Sequence, residues 1–237
     1  MLRLLILLLT TAKFGKLLLS AGSMLLTIWV YTTIYGLPFA AGFVGLLLVH
    51  EMGHYFAAQQ RGLSVSLPAF IPFMGAFINL REQPHDSETE AYVAYAGPFT
   101  GTLGAFAVYF WGRHTDTDFW MALAYAGFVL NLFNLIPVSP LDGGRITQVL
   151  SPRIWLLGAP MLAIIFYYMP SPMLVLIGVL ALPSLFAAWR YDPASPEAQA
   201  YRSIDPGMRF EYMVLYLGLV AVTALMAFHT HEGLAHR

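Results

Sequence analysis

The sequence predicts an all-α polytopic membrane protein with about 6–7 transmembrane helices and a small membrane-embedded β-hairpin or re-entrant element. Three observations predict this fold class: a chain that is 58% hydrophobic and only 11% charged, a series of apolar runs of helical length, and one apolar stretch interrupted by prolines. Soluble domains contain about a quarter charged residues, so this chain cannot cover a water-exposed surface. Its natural solvent is a lipid bilayer.

The apolar runs define the predicted spans, because a helix that crosses a bilayer needs roughly 20 mostly apolar residues. The opening run Leu2–Leu9 is too short to cross by itself. We expect it to lie at the membrane interface or to extend the first span. The whole opening stretch, residues 1–16, is basic and apolar like a signal peptide, but it lacks a small-residue cleavage site and more spans follow, so we expect it to be retained. The predicted spans are Leu17–Tyr35, Leu37–Ala58, Ala94–Trp111, Phe119–Ile136, Trp155–Met169, Met173–Trp189 and Tyr212–Phe228.

The basic residues predict the orientation of these spans, since lysine and arginine concentrate in cytoplasmic loops. With a cytoplasmic N-terminus, ten of the 12 lysine and arginine residues fall inside. The ten are Arg3, Lys13, Lys16, Arg61, Arg81, Arg145, Arg153, Arg190, Arg202 and Arg209. Only Arg113 and Arg237 fall outside. We therefore expect a multi-pass protein of the cell membrane with a cytoplasmic N-terminus.

Two stretches are not predicted to form long helices. Residues 63–86 combine β-branched and aromatic residues with Pro68, Pro72 and Gly75, which indicates a hairpin or a re-entrant segment surrounded by protein. Residues 137–146 contain two prolines and two glycines, which end the helix just after the fourth predicted span.

Composition excludes several kinds of function. A net charge of -1 argues against a nucleic-acid partner, which would require a basic surface. The absence of cysteine excludes disulfides, thiolate metal sites and cysteine nucleophiles. A metal site in this chain must therefore use histidine and carboxylate ligands.

The motif His50-Glu51-Met52-Gly53-His54 has the HExxH pattern and lies in the cytoplasmic half of the second predicted span. Two histidines four residues apart project from one helix face, so both imidazoles can reach one ion, and the intervening glutamate can act on a bound water. Placing these groups at membrane depth costs at least a few kcal/mol, which favours a functional role. The alternative is that they hydrogen-bond to neighbouring helices.

A catalytic zinc site usually has a third protein ligand and an open position for water. Asp142 is the candidate, because it lies where the fourth predicted span emerges on the cytoplasmic side, towards which His54 also points. Gly143 and Gly144 would let the backbone bring this short side chain close to the metal. The alternative for Asp142 is a helix N-cap or an Asx turn.

The two motifs together resemble the site-2 protease family of intramembrane zinc metalloproteases (peptidase M50-like). HEMGH is followed two spans later by NLIPVSPLDGG from Asn134, and Ala96-Gly97-Pro98 begins the third span, so the resemblance covers Leu37–Leu150. It implies that His50, His54 and Asp142 bind one Zn²⁺ per chain and that Glu51 is the general base. It further implies that Asn134 binds the developing oxyanion and that Phe73–Asn79 is an edge strand for the substrate.

The resemblance implies regulated intramembrane proteolysis, in which peptide bonds in or near transmembrane segments of membrane protein substrates are hydrolysed near the cytoplasmic face. We expect a compact form without an inserted PDZ-like or a C-terminal CBS domain. The chain then divides into an N-terminal segment with the first span (1–36), a catalytic membrane core (37–150), additional spans (151–189), a cytoplasmic linker (190–210), and a last span with a tail (211–237).

Two other functions are considered. A transporter or channel would require polar residues along a path through both leaflets, and the predicted spans contain none outside the cytoplasmic half. A catalytically inactive scaffold would have lost Glu51 or a ligand, and all are present. Zinc is the expected metal, although iron or cobalt also binds two histidines and a carboxylate.

The remaining polar groups are interpreted without a catalytic role. His229, His231 and His236 are assigned to a solvated C-terminal tail. Gly97, Gly101 and Gly104 have the small-residue spacing of close helix packing. The polar residues flanking the re-entrant segment are interpreted as a solvated connector; they are Glu82, His85, Asp86, Glu88 and Glu90.

Overall fold

The computed structural model describes residues 12–80, 82, 84–201 and 203–236, and this part of the chain is mostly helical. The predicted Leu2–Leu9 run and Arg3, Arg81, Arg202 and Arg237 lie outside the described residues. The helices are α1 (Ala12–Tyr35), α2 (Leu37–Gln60), α3 (Ser87–Thr115), α4 (Asp118–Asn134), α5 (Asp142–Thr147), α6 (Trp155–Tyr168), α7 (Pro172–Trp189), α8 (Pro196–Tyr201) and α9 (Pro206–Ala235), with a 3-10 turn at Pro152–Ile154. Each predicted span lies on one helix and extends past that helix by at most two residues, whereas α1, α3 and α9 extend four to seven residues beyond an end of their predicted spans.

Four helices in the described part of the chain are long and apolar enough to cross a membrane. They are Gly15–Tyr35 within α1, together with α2, α7 and α9. The protein is therefore a multi-pass helical membrane protein. Helix α4 has 17 residues and α6 has 14, so at 1.5 Å per residue each is shorter than the roughly 30 Å hydrocarbon layer. The count of 6–7 spans stays a prediction.

Helix α3 packs against both α2 and α4 and forms the centre of the bundle. Asp86 caps its N-terminus, because its carboxylate accepts a hydrogen bond from the Thr89 N–H at 2.7 Å. Glu88 and Glu90 occupy the first turn, where negative side chains interact favourably with the helix dipole. Asp116, in the left-handed conformation, ends the helix.

The predicted hairpin is confirmed as two short antiparallel strands, β1 (Ala69–Ile71) and β2 (Gly75–Phe77). The predicted edge segment Phe73–Asn79 is longer than β2, since its first residues belong to the turn. The outer edge of β1 is occupied by α1: the Phe70 N–H donates to Ser23 Oγ at 3.1 Å. The opposite edge, that of β2, borders the interior of the bundle.

The predicted helix break after α4 is also present, and it places α5 tightly against the preceding loop. A Cβ atom on Gly143 would overlap the backbone of Leu135, and one on Gly144 would overlap the backbone of Val138 and Ser139. Only glycine therefore allows this approach of two backbone segments. The glycines fix the position of α5, and with it that of Asp142, relative to the end of α4.

Candidate metal centre

His50 and His54 lie one turn apart on α2, and both side chains are buried. Their rings are 4.9 Å apart between centroids, and their Nε2 atoms approach to 3.1 Å. The regular helix accounts for this pairing, because residues at i and i+4 share one face. The two imidazoles thus present one nitrogen each to the same small volume.

Asp142, the first residue of α5, reaches the same volume from a distant part of the chain. Its Oδ2 atom is 3.1 Å from His50 Nε2 and 3.3 Å from His54 Nε2. The N-cap position of α5 is Leu141, where no side chain caps the helix. The Asp142 carboxylate is therefore turned towards the histidines and does not cap the helix.

The other ring nitrogens determine the protonation of the imidazoles. His50 Nδ1 is 2.8 Å from Asn131 Oδ1, and His54 Nδ1 is 2.7 Å from the carbonyl oxygen of Val93. Asn131 donates through Nδ2 to the Gly127 carbonyl at 2.8 Å, which orients its amide with the oxygen towards His50. Both Nδ1 atoms face acceptors and carry the proton, so both Nε2 lone pairs point at Asp142.

These three atoms fit the dimensions of a zinc site. A tetrahedral zinc ion with bonds of about 2.0–2.1 Å separates neighbouring ligand atoms by about 3.3 Å. The three separations between the Nε2 atoms and Asp142 Oδ2 are 3.1, 3.1 and 3.3 Å. Two neutral imidazoles and one carboxylate are also a donor set of catalytic zinc sites, which leave the fourth position to water. The residues present therefore fit a zinc ion.

Glu51 is buried next to this cluster but stands further from it. One of its carboxylate oxygens lies within 4.8 Å of the two imidazole nitrogens, compared with 3.1 and 3.3 Å for Asp142. Glu51 thus belongs to the same buried cluster as the two histidines and Asp142. Glu51 is therefore close enough to the cluster to contact a water molecule bound to an ion held by the other three residues.

A cavity of about 390 Å³ opens beside the cluster and is mostly apolar. His50 and Glu51 form its polar wall, and Asn134 lies at the end of α4 on the same cavity. The Asn134 amide donates one hydrogen bond to the Leu130 carbonyl at 3.1 Å and has a second N–H for another acceptor. The apolar walls include the β2 edge and Met173, Ile177 and Leu180 of α7.

The sequence analysis did not identify Asn131, and it assigned Gly97 and Gly101 to helix packing alone. Asn131 is fully buried and one turn before Asn134, and a polar side chain at membrane depth was the available signal. A Cβ atom on Gly97 would overlap the His54 ring, and one on Gly101 would overlap the Asn131 amide. The small-residue spacing of α3 therefore makes room for the polar cluster as well as for helix packing.

Two sets of polar residues differ from their predicted surroundings. Glu90 was interpreted as part of a solvated connector, but its carboxylate is only 20% exposed and binds Arg145 and Tyr201. His229 and His231 lie on the last turns of α9 and not in a tail. His229 Nε2 is 3.2 Å from the Tyr109 hydroxyl. His229 is distant from Asp142 in the sequence.

Apolar helices around a buried His–His–Asp cluster define the class of this protein: a multi-pass membrane protein with a site built to bind a metal ion. The sequence matches the family model described as peptidase family M50 over residues 38–116 and 111–176, more than half of the chain. The chain belongs to peptidase family M50.

Curated relatives carry matching names. The chain is 28% identical over 159 aligned residues to "Probable zinc metalloprotease EGY1, chloroplastic" of Arabidopsis thaliana (47% of this chain, 29% of the relative). It is 34% identical over 128 residues to "Putative zinc metalloprotease Rip3" of Mycobacterium tuberculosis (48% and 32%). It is 29% identical over 113 residues to "Zinc metalloprotease MJ0392" of Methanocaldococcus jannaschii (46% and 32%). The matched region thus spans about a third of each relative's length.

Proposed function

We propose that this chain is a zinc-dependent endopeptidase that hydrolyses peptide bonds in or near transmembrane segments of membrane protein substrates. One observation carries the proposal: two Nε2 atoms and a carboxylate oxygen meet within 3.1–3.3 Å inside an apolar helix bundle. The names of the M50 relatives support the same chemistry. Regulated intramembrane proteolysis is the biological process that this activity would serve.

His50, His54 and Asp142 would hold the zinc ion. When bound, zinc supplies Lewis acidity, which polarises the scissile carbonyl and makes water a better nucleophile. The hydrogen bonds from the two Nδ1 atoms to Asn131 and Val93 keep both rings in the ligating tautomer. These contacts hold the donor atoms in place without further movement of α2.

Glu51 acts as the general base and then as the general acid. Its buried carboxylate accepts a proton from the attacking water as the carbon–oxygen bond forms, and it donates that proton to the amine as the carbon–nitrogen bond breaks. The second N–H of Asn134, on the same cavity, hydrogen-bonds the oxygen that becomes negative during attack. The products are a new carboxylate and a new amine.

The β2 edge provides a place for an extended substrate. The Phe70 N–H points away from β2, so Ala76, its antiparallel partner, points its own N–H and C=O away from β1. A helical substrate hides its peptide bonds in backbone hydrogen bonds, and pairing with Ala76 would hold an unwound segment in reach of Glu51. We place this site near the cytoplasmic face of the cell membrane, with the N-terminus also cytoplasmic, on the basis of the arginine and lysine distribution.

The direct test compares wild type with Glu51→Gln in detergent, using a transmembrane test substrate and elemental analysis of the purified protein. We expect one zinc per chain in both proteins and a loss of cleavage of roughly 10²- to 10⁴-fold or more in the variant, because the ligands remain and the proton acceptor is lost. His50→Ala serves as the matched variant that loses the metal. Equal cleavage by wild type and Glu51→Gln contradicts the proposal.

A further inference from the structure

A chain of polar side chains leads from Asp142 to the cytoplasmic linker. Asp142 Oδ2 faces the histidines, whereas its second oxygen, Oδ1, lies 3.9 Å from Arg145 Nη1 one turn along α5. Arg145 Nε donates to Glu90 Oε1 on α3 at 3.3 Å. The guanidinium group therefore lies between two carboxylates that belong to different helices.

The fourth member of this chain of side chains, Tyr201, comes from α8 in the linker. The Tyr201 hydroxyl donates to Glu90 Oε2 at 2.6 Å, so both oxygens of Glu90 are occupied. Burial, together with the neighbouring Glu90 carboxylate, raises the pKa of Tyr201 above its ordinary value. The phenol thus stays protonated and remains a donor over the physiological pH range.

We infer that Arg145 and Glu90 are positioning residues for Asp142, and that Tyr201 couples the linker helix α8 to the metal site through them. This inference rests on the proposed function. The positive charge of Arg145 attracts the second oxygen of Asp142 across 3.9 Å, which favours the orientation in which the carboxylate presents Oδ2 to the ion. Because a planar guanidinium contacts two carboxylates in fixed directions, Glu90 determines where Arg145 points.

The side chains of Asp142, Glu90 and Arg145 are largely buried, so their ion pairs interact more strongly than exposed pairs do. The side chain of Asp142 is 10% exposed, that of Glu90 20%, and that of Arg145 25%. Exposed ion pairs contribute little, but partly buried charges keep more of their interaction and lose more when a partner is removed. The removal of Arg145 or Glu90 therefore leaves Asp142 free to rotate away from the histidines.

The same face of the protein offers a matched control pair. Arg61 Nη2 lies 2.9 Å from Glu88 Oε1, also between a helix and the first turn of α3. Within the described residues, neither side chain contacts the histidines or Asp142. Likewise the Tyr92 hydroxyl donates to Gln60 at 2.7 Å, a bond similar in length to that of Tyr201 but not connected to Arg145.

The test measures the zinc affinity of the purified full chain by competition with a chelator. We expect the dissociation constant for Zn²⁺ to rise by about tenfold in Arg145→Met and in Glu90→Gln, as for other residues that orient metal ligands. We expect no change in Arg61→Met or Glu88→Gln. The Glu90→Gln/Arg145→Met double variant should bind zinc no more weakly than the single variant with the lower zinc affinity, because both changes release the same carboxylate.

Tyr201→Phe and Tyr92→Phe keep the inference testable if a charge change impairs folding. We expect zinc loss to the chelator to be a few-fold faster in Tyr201→Phe, by loss of one hydrogen bond to a charged group, and unchanged in Tyr92→Phe. Equal zinc affinities in the Arg145 and Arg61 variants, or equal rates in the two tyrosine variants, overturn the inference alone. A wild-type chain that binds no zinc, or a His50→Ala variant that keeps it, overturns the proposed function instead.

Discussion

At the scale of single residues, the two asparagines of α4 have different surroundings although they are one turn apart. Asn131 is buried between Gly101 and the His50 ring, and its amide oxygen faces His50 Nδ1 at 2.8 Å. Asn134 borders the cavity, and among the residues that the structure describes its amide bonds only within its own helix. The first asparagine is thus placed to orient a ligand, and the second to contact a substrate.

This difference predicts separate effects of two substitutions. Asn131→Ala removes the acceptor that holds His50 in the ligating tautomer, so we expect zinc affinity to fall by about 10- to 100-fold. Asn134→Ala leaves the metal ligands untouched, so we expect zinc affinity to be unchanged and kcat to fall by about 10²- to 10³-fold. Elemental analysis and cleavage assays on the same preparations check both. The same metal content and the same loss of activity in the two variants would contradict the assignment.

At the scale of elements, the hairpin has one edge that is occupied and one that no strand of the described residues covers. Side chains of α1 bind the β1 edge and the turn: the Phe70 N–H donates to Ser23 Oγ at 3.1 Å, and the Phe73 N–H donates to the Tyr31 hydroxyl at 3.0 Å. The β2 edge borders the cavity that contains Glu51. An unpaired strand edge is a template for another strand, so the arrangement directs strand addition to one side.

Ala76→Pro tests the use of this edge. Proline lacks an N–H but is tolerated on edge strands, and the Ala76 N–H points away from β1. We expect KM for a transmembrane substrate to rise by about 5- to 15-fold, the equivalent of one lost hydrogen bond of about 1–1.5 kcal/mol, with unchanged zinc content. Ala76→Val keeps the N–H and is the matched control. If the proline variant cleaves with the wild-type KM, substrate does not pair at this residue.

The packing of α3 on α2 depends on a glycine that faces a ligand. A methyl group at Gly97 would overlap the His54 ring, whereas one at Gly45 on α2 would meet no atom within 4 Å. We therefore expect Gly97→Ala to displace His54 and lose zinc, and Gly45→Ala to keep zinc and gain up to about 1 kcal/mol of helix stability. Zinc content and thermal unfolding in detergent measure both effects. Retention of tight zinc binding by Gly97→Ala would show that α3 can shift away.

At the scale of the whole molecule, α3 is long enough to connect the two predicted faces of the membrane. Its 29 residues extend about 43 Å at 1.5 Å per residue, more than the roughly 30 Å hydrocarbon layer. The metal-site residues Asp142 and His54 therefore lie near the end of the bundle that contains the start of α3, since His54 binds the Val93 carbonyl.

The chain contains no cysteine, so single cysteines report its orientation without background labelling. Ser64, Thr115 and Ala194 are exposed in connections between helices or at a helix end. With a cytoplasmic N-terminus, a membrane-impermeant maleimide should label Thr115→Cys on intact cells and should label Ser64→Cys and Ala194→Cys only after permeabilisation. The reverse pattern would invert the orientation, and labelling of all three on intact cells would contradict the span arrangement.

Sequence alone determined the features that leave a local pattern. Apolar runs predicted the helices, prolines predicted the hairpin, and HExxH placed two imidazoles on one helix face. Asp142 could be nominated because it lies where the fourth predicted span emerges, on the side towards which His54 points. These inferences succeed because helix periodicity and bilayer thickness restrict what a short stretch of residues can do.

Only the tertiary structure decided which side chains surround those residues. The partners His50 and Asn131 are 81 positions apart, and Tyr201 and Glu90 are 111 positions apart, so no local pattern relates them. The role of Gly97 likewise depends on which ring packs against it. Contacts between distant helices are set by how whole helix faces fit together, and that fit is a property of the assembled bundle and not of any one segment.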